Sequence, residues 1–121
     1  MLLGLRTAIY PVADLPAAKA WYASVLEQQP YFDQAFYVGF NVGGFELGLI
    51  PNGAAAINGP QPLWGVSDAA AALARLLVLG AIALEPVTDV GDGIRVAAVT
   101  DPFGNRLGII QNPHFDLKAL R

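Results

Sequence analysis

Cysteine is missing from all 121 residues of the chain. Its absence removes disulfides, thiolate nucleophiles and thiolate metal sites, and gives no support for an oxidising compartment. Histidine occurs once, as His114 in the tail after Pro113. No Ser–His pair is visible, and no carboxylate stands beside that histidine in sequence to orient it. Charge is sparse as well, with 7 basic and 10 acidic residues, a net charge of -3 and no basic cluster. Attraction to nucleic acid or to an anionic membrane is therefore not expected. Long apolar runs are also lacking. "LLVLGAIAL" is too short to cross a bilayer and contains a helix-ending glycine, and "MLLGLRTAIY" has neither the basic region nor the cleavage site of a secretory signal. We expect a cytoplasmic protein whose partners are a small-molecule ligand and a second copy of itself, with no cofactor.

What the chain does have is apolar surface: 55% of its residues are hydrophobic and only 14% charged. That is rich for one small domain, and a homodimer would cover part of it. Residues 4–12 read as a strand. Asp14 then offers an N-cap, with Pro16 in the first turn of a helix running to about Leu26. "PYFDQAFYVGFNV" and "FELGLI" read as strands, the last two joined by the "GG" dipeptide of a tight hairpin. After a loop, the order restarts: strand "PLWGV", cap Asp68, a helix to Leu79 stopped by Gly80, then strands "AIALEP", "IRVAAVT" and "NRLGIIQ". The helix "AAAALARLLVL" carries only Arg75 as a charge, which predicts cover on more than one side.

The second half repeats the first. A displacement of 54 aligns Val12 with Val66 and Asp14 with Asp68, and one of 60 aligns Gly44 with Gly104, Leu47 with Leu107, Gly48 with Gly108 and Asn52 with Asn112. The expected fold class is α+β, with two βαβββ modules. Module one covers about 1–52, a linker 53–60, module two 61–112 and a tail 113–121.

"YPVADLPAAKAWYASVL" and "TDPFGNRLGIIQNP" resemble the strand-turn-helix and the Asp-Pro-x-Gly-Asn hairpin of the vicinal oxygen chelate superfamily. This group includes glyoxalase I, bleomycin-resistance proteins, fosfomycin-resistance transferases and extradiol dioxygenases. The resemblance covers nearly the whole chain and implies paired modules forming a cupped mixed sheet, commonly in a dimer, with a ligand cavity on the concave face. It also implies four metal-ligand positions in the metal-dependent members, which fall here on Thr7, Gly48, Gln61 and Gly108. None is His, Asp, Glu or Cys, so no metal is expected. Asp33 and Asp92 fall in expected loops, and Asp101 is expected to bond the hairpin backbone.

Period-two alternation gives the lining of that face: Thr7, Ile9, Tyr37, Gly39, Asn41, Glu46, Gly48, Gln61, Leu63, Arg106 and Gly108. Its glycines leave room for a flat group, unless they serve only strand curvature, and Arg106 with Glu46 could form a plain ion pair. Tyr10 and Trp64 fall on the opposite, helix-packed face. The expected function is metal-free sequestration of a drug-like aromatic or peptide-derived natural product, as in antibiotic resistance, with no catalytic residue. The alternatives are a lyase, isomerase or dioxygenase with a displaced metal site, or a module that binds another protein.

Overall fold

A computed structural model describes residues 5–51, 53–57 and 61–119. Strand β1 (Thr7–Pro11) leads through the cap Asp14 into helix α1 (Leu15–Leu26). The Asp14 carboxylate accepts the Ala17 N–H at 3.1 Å, satisfying one of the donors that every helix start leaves open. Three antiparallel strands follow, β2 (Phe32–Gln34), β3 (Tyr37–Val42) and β4 (Phe45–Ile50), and β1 lies parallel to β4 in a sheet of order β1-β4-β3-β2. The second half rebuilds this arrangement with β5 (Leu63–Gly65), α2 (Ala69–Val78), β6 (Ile82–Gly91), β7 (Ile94–Thr100) and β8 (Arg106–Gln111), in the order β5-β8-β7-β6. Asp68 caps α2 through the Ala71 N–H, and Gly80 leaves it at φ 104°, a conformation glycine adopts without a Cβ penalty. The fold is thus α+β, with two βαβββ modules of identical strand order.

Two expectations are corrected. β6 does not end at Pro86 but continues to Gly91, with register shifts between Glu85 and Thr88. As the outer strand of its sheet it has one side without a ladder, where a proline's missing N–H costs nothing. Helix α2 is covered on one side only: Ala69 and Leu76 are buried while Val78 is 79% exposed. Its scarcity of charge reflects alanine and leucine on an open face rather than a second layer. The expected start of β1 at Gly4, the repeat residue Asn52 and linker residues 58–60 lie outside the described residues. Among the described residues no helix is long and apolar enough to cross a membrane.

One core joins the modules. Tyr22, Phe40, Leu47 and Leu49 from the first half pack in a single cluster with Leu76, Val99, Leu107 and Ile109 from the second. The polar atoms carried into it are paired across the module boundary. Trp64 Nε1 donates to the Tyr10 hydroxyl at 2.7 Å, Trp21 Nε1 to the Leu79 carbonyl at 2.8 Å, and the Tyr22 hydroxyl to Asp101 Oδ2 at 2.6 Å. Each such group left unpaired would cost about 1–3 kcal/mol, so these bonds fix how the halves meet. Tyr10 and Trp64, equivalent in the repeat, therefore touch each other on the helix-packed side. Burial raises the Tyr10 hydroxyl to about 12 and the Tyr22 hydroxyl well above its ordinary value, the latter reinforced by Asp101.

Candidate functional site

The helices pack on one face of each sheet and leave the other open. On β1 the alternation is plain: Ala8 and Tyr10 are buried, Thr7 and Ile9 exposed. On this open side lies a groove of 610 Å³, lined by Thr7, Ile9 and Pro11 of β1, by Ala54, Ala56 and Ile57, by Gln61 and Pro62 before β5, and by Asn105 and Arg106 at the start of β8. Its size is that of a small-molecule site, and its walls are mostly apolar with a few polar groups. The segment over it is anchored by backbone geometry. Ala56 N–H donates to Asn105 Oδ1 at 3.2 Å, the Arg106 N–H donates to the Ala56 carbonyl at 3.3 Å, and Asn105 Nδ2 reaches the Pro11 carbonyl at 2.7 Å. Asn105 and residues 54–57 escaped the sequence reading because an aperiodic loop does not show which face it crosses.

Thr7, Ile9, Gln61 and Arg106 meet at this groove as expected, but the glycines do not form an open floor. A Cβ on Gly48 would run into the Tyr37 hydroxyl and ring, and one on Gly108 would sit 2.6 Å from Leu63 Cδ2 and 3.1 Å from the Pro62 carbonyl. The space each glycine leaves is filled by a larger neighbour, Tyr37 in one module and Leu63 in the other. Gly39 lies beneath the meeting point of Tyr31, Tyr37 and Glu46, whose nearest atoms would be 3.1 to 3.4 Å from its Cβ. Asn41 turns away, its side-chain oxygen accepting the Gly44 N–H at 2.8 Å across the hairpin turn.

The charged groups also differ from the plain ion pair considered above. Glu46 accepts hydrogen bonds from the hydroxyls of both Tyr31 and Tyr37, and Arg106 pairs instead with Glu85 at 2.9 Å. The Tyr31 hydroxyl is raised above its ordinary value chiefly by its bond to Glu46, the Tyr37 hydroxyl chiefly by burial with Glu46 adding to it. Glu85 is lowered by its bond to the Arg106 guanidinium. The Arg106 Nε is buried without a partner. Tyr31 and Glu85 are the partners that sequence reasoning missed. Glu85 is opposite Ala98 in the register, a pairing legible only once β6 and β7 are aligned.

The residues do not fit a catalytic metal. Thr7 and Gln61 offer only neutral oxygens or an amide, Gly48 and Gly108 have no side chain, and their space is occupied. Among the described residues no three His, Cys, Asp or Glu side chains come together to hold an ion. Two further carboxylates are engaged elsewhere. Asp33 pairs with Lys19, and the 1% exposed Asp101 accepts the N–H groups of Phe103 and Asn105 as well as the Tyr22 hydroxyl. His114 bonds the Asp92 carbonyl at 2.8 Å, which makes it a local tie of the tail.

Comparison with known proteins places this geometry. The family model described as glyoxalase/bleomycin resistance protein/dioxygenase superfamily matches residues 4–109. A glyoxalase/bleomycin resistance protein from Catenulispora acidiphila DSM 44928 is similar at 25% identity, covering 91% of this chain and 100% of that one, with a TM-score of 0.66. One from Albidiferax ferrireducens T118 reaches a TM-score of 0.72 at 18% identity over 90% of this chain and 98% of that one. A lactoylglutathione lyase from Agrobacterium tumefaciens gives 0.71 at 18% identity over 91% and 94%. The last two likenesses speak to the fold alone. No curated protein matches the chain.

Proposed function

Because the chain belongs to the glyoxalase/bleomycin resistance protein/dioxygenase superfamily, we propose that it binds and sequesters a drug-like aromatic or peptide-derived natural product without altering it. The observation that carries this reading is the make-up of the four positions Thr7, Gly48, Gln61 and Gly108, where metal-dependent relatives would place their ligands. Two have weak neutral donors and two are glycines roofed by Tyr37 and Leu63. What remains is a 610 Å³ groove with apolar walls and the polar groups of Thr7, Gln61 and Arg106, the furnishing of a binding site rather than of a reaction centre. Ile9 is 52% exposed and Leu63 40% exposed on this side, and a second copy of the chain would cover such surface and deepen the groove. The reading thus includes a homodimer.

Titration of the protein with a panel of aromatic and peptide-derived antibiotics, followed by the fluorescence of Trp21 and Trp64 and by the mass of the recovered ligand, tests it. Trp64 is hydrogen-bonded to Tyr10, which also borders the groove, so occupancy should alter its emission. Saturable micromolar binding with the ligand recovered unchanged is expected. No binding across the panel, or turnover of the ligand, would overturn the reading.

A further inference from the structure

On the open face of the first module four aromatic rings surround a single carboxylate. Tyr31 and Tyr37 both donate to Glu46. Phe32 lies 6.0 Å from Tyr37 and 6.0 Å from Phe36, in edge-to-face arrangements. Tyr31 is 64% exposed, Phe36 67% and Phe32 38%, an unusual amount of bare aromatic surface for one corner of a small domain. The strand register explains the gathering. Phe32 is opposite Gly39, Gly39 opposite Gly48, and Glu46 beside Thr7, so Phe32, Tyr37 and Glu46 project from one side of the sheet, while Tyr31 and Phe36, outside the strands, join them through the bond to Glu46 and the contact with Phe32.

We propose that this aromatic corner, with Glu46 at its centre, recognises an organic cation: an ammonium or guanidinium group carried on an apolar body. The proposal rests on the reading of the open face as a ligand site: the corner does not line the groove but adjoins it at Thr7, which is paired with Glu46, and would receive the cationic end of the ligand. Glu46 has only neutral partners, and no cation pairs with it among the described residues. A carboxylate offers about four acceptor positions, of which the two phenols use two. Ring faces carry the negative end of the aromatic quadrupole, so rings and carboxylate attract the same sign of charge. The corresponding place in the second module is neutralised from within, because Arg106 there is paired with Glu85. An anionic ligand would meet Glu46 unfavourably. A neutral one would gain the rings but not the charge.

The test uses three probes of similar size and different charge, 2-phenylethylammonium, 2-phenylethanol and phenylacetate, titrated at neutral pH into the intact chain while the aromatic proton resonances of Tyr31, Phe32, Phe36 and Tyr37 are followed. The cation is expected to shift those resonances and to bind about tenfold more tightly than the alcohol, with phenylacetate weakest. Glu46→Gln should erase the preference, and Phe36→Ala, which keeps the carboxylate, should weaken the cation severalfold, both with the far-UV circular dichroism of the parent. The assignment is overturned if the alcohol or phenylacetate binds as tightly as the cation, or if a folded Glu46→Gln variant keeps the preference. It is equally overturned if the rings prove to be covered by a second copy of the chain, seen as shifts that depend on protein concentration and exclude the probes. Equal binding of all three probes in the groove would sink the cation while leaving the binding reading intact; silence from these probes and from the antibiotic panel would sink both.

Discussion

The two modules share a strand order but not a chemistry. Position 46 of the first and position 106 of the second coincide in the repeat, and the same is true by register of Phe32, opposite Gly39, and Glu85, opposite Ala98. The first module therefore has an acid among phenols and phenyl rings. The second has a guanidinium closed off by its own carboxylate. The turns between the last two strands diverge in the same way. In the first module Asn41 and two glycines at φ 60° and 92° make an exposed hairpin held by one side-chain bond. In the second, Asp101 is buried and anchors Phe103, Asn105 and, from the other half, Tyr22. Duplication thus leaves the first module with the open aromatic corner for which we propose recognition, while the second anchors the joint between halves through Asp101.

Removal of the equivalent turn residues should separate the modules most strongly. Asp101→Ala leaves two backbone donors and the Tyr22 hydroxyl without a partner in the core, and is expected to cost about 3 kcal/mol or more. Asn41→Ala, at an exposed turn, should cost less than about 1 kcal/mol. Urea unfolding of both variants checks the pair, and equal losses would remove the structural asymmetry. Next come the glycines. Gly108→Ala would press on Leu63 and on the Pro62 backbone and should cost about 1–2 kcal/mol. Gly48→Ala can be accommodated by swinging Tyr37, with a smaller loss of stability but a weakened bond to Glu46. Gly65→Ala, with nothing within 4 Å of the added methyl, should be neutral or slightly stabilising.

The tyrosines give a further contrast, this time with pH. All four, Tyr10, Tyr22, Tyr31 and Tyr37, are raised, so ultraviolet titration should find little phenolate at pH 10, where free tyrosine is half ionised. Because the folded state disfavours phenolate, the stability it confers is complete below pH 10 and lost as pH rises from 10 towards about 12, the value for Tyr10. Titration of all four at the free value would show that the burial of Tyr10, Tyr22 and Tyr37 and the bond from Tyr31 to Glu46 are not held in solution. The smallest effect belongs to the Glu85–Arg106 pair, half-exposed on the glutamate side. Its contribution should be present above the ordinary carboxylate value, fade as pH falls through the lowered value of Glu85, and shrink with added salt, as thermal unfolding of Glu85→Gln would show.

Much of this architecture was legible in the sequence because it rests on local signals. Asp14 and Asp68 announce their helices, Gly80 ends one, and the repeat at 60 residues sets Gly48 against Gly108. Alternation also put Thr7, Ile9, Glu46 and Arg106 on the correct face. What it could not supply was reach. A glycine on a strand says nothing of which long neighbour lies across it, so Tyr37 and Leu63 occupy what looked like vacant floor. The extension of β6 past Pro86 depends on its place at the sheet edge, and the exposed flank of α2 on how few elements surround it, and both are properties of assembled topology. Tyr31, a partner of Glu46, precedes β2, and Glu85, the partner of Arg106, lies on β6, whose register with β7 is shifted, so alternation could not reveal either pairing.

The binding we propose needs no metal in the groove. Elemental analysis of protein purified without chelator, paired with the ligand titration repeated after dialysis against EDTA, tests it most directly. Far less than one transition-metal ion per chain is expected, with an affinity that EDTA leaves unchanged. One bound zinc, iron, manganese or nickel per chain, with binding lost on its removal and restored on its return, would contradict it.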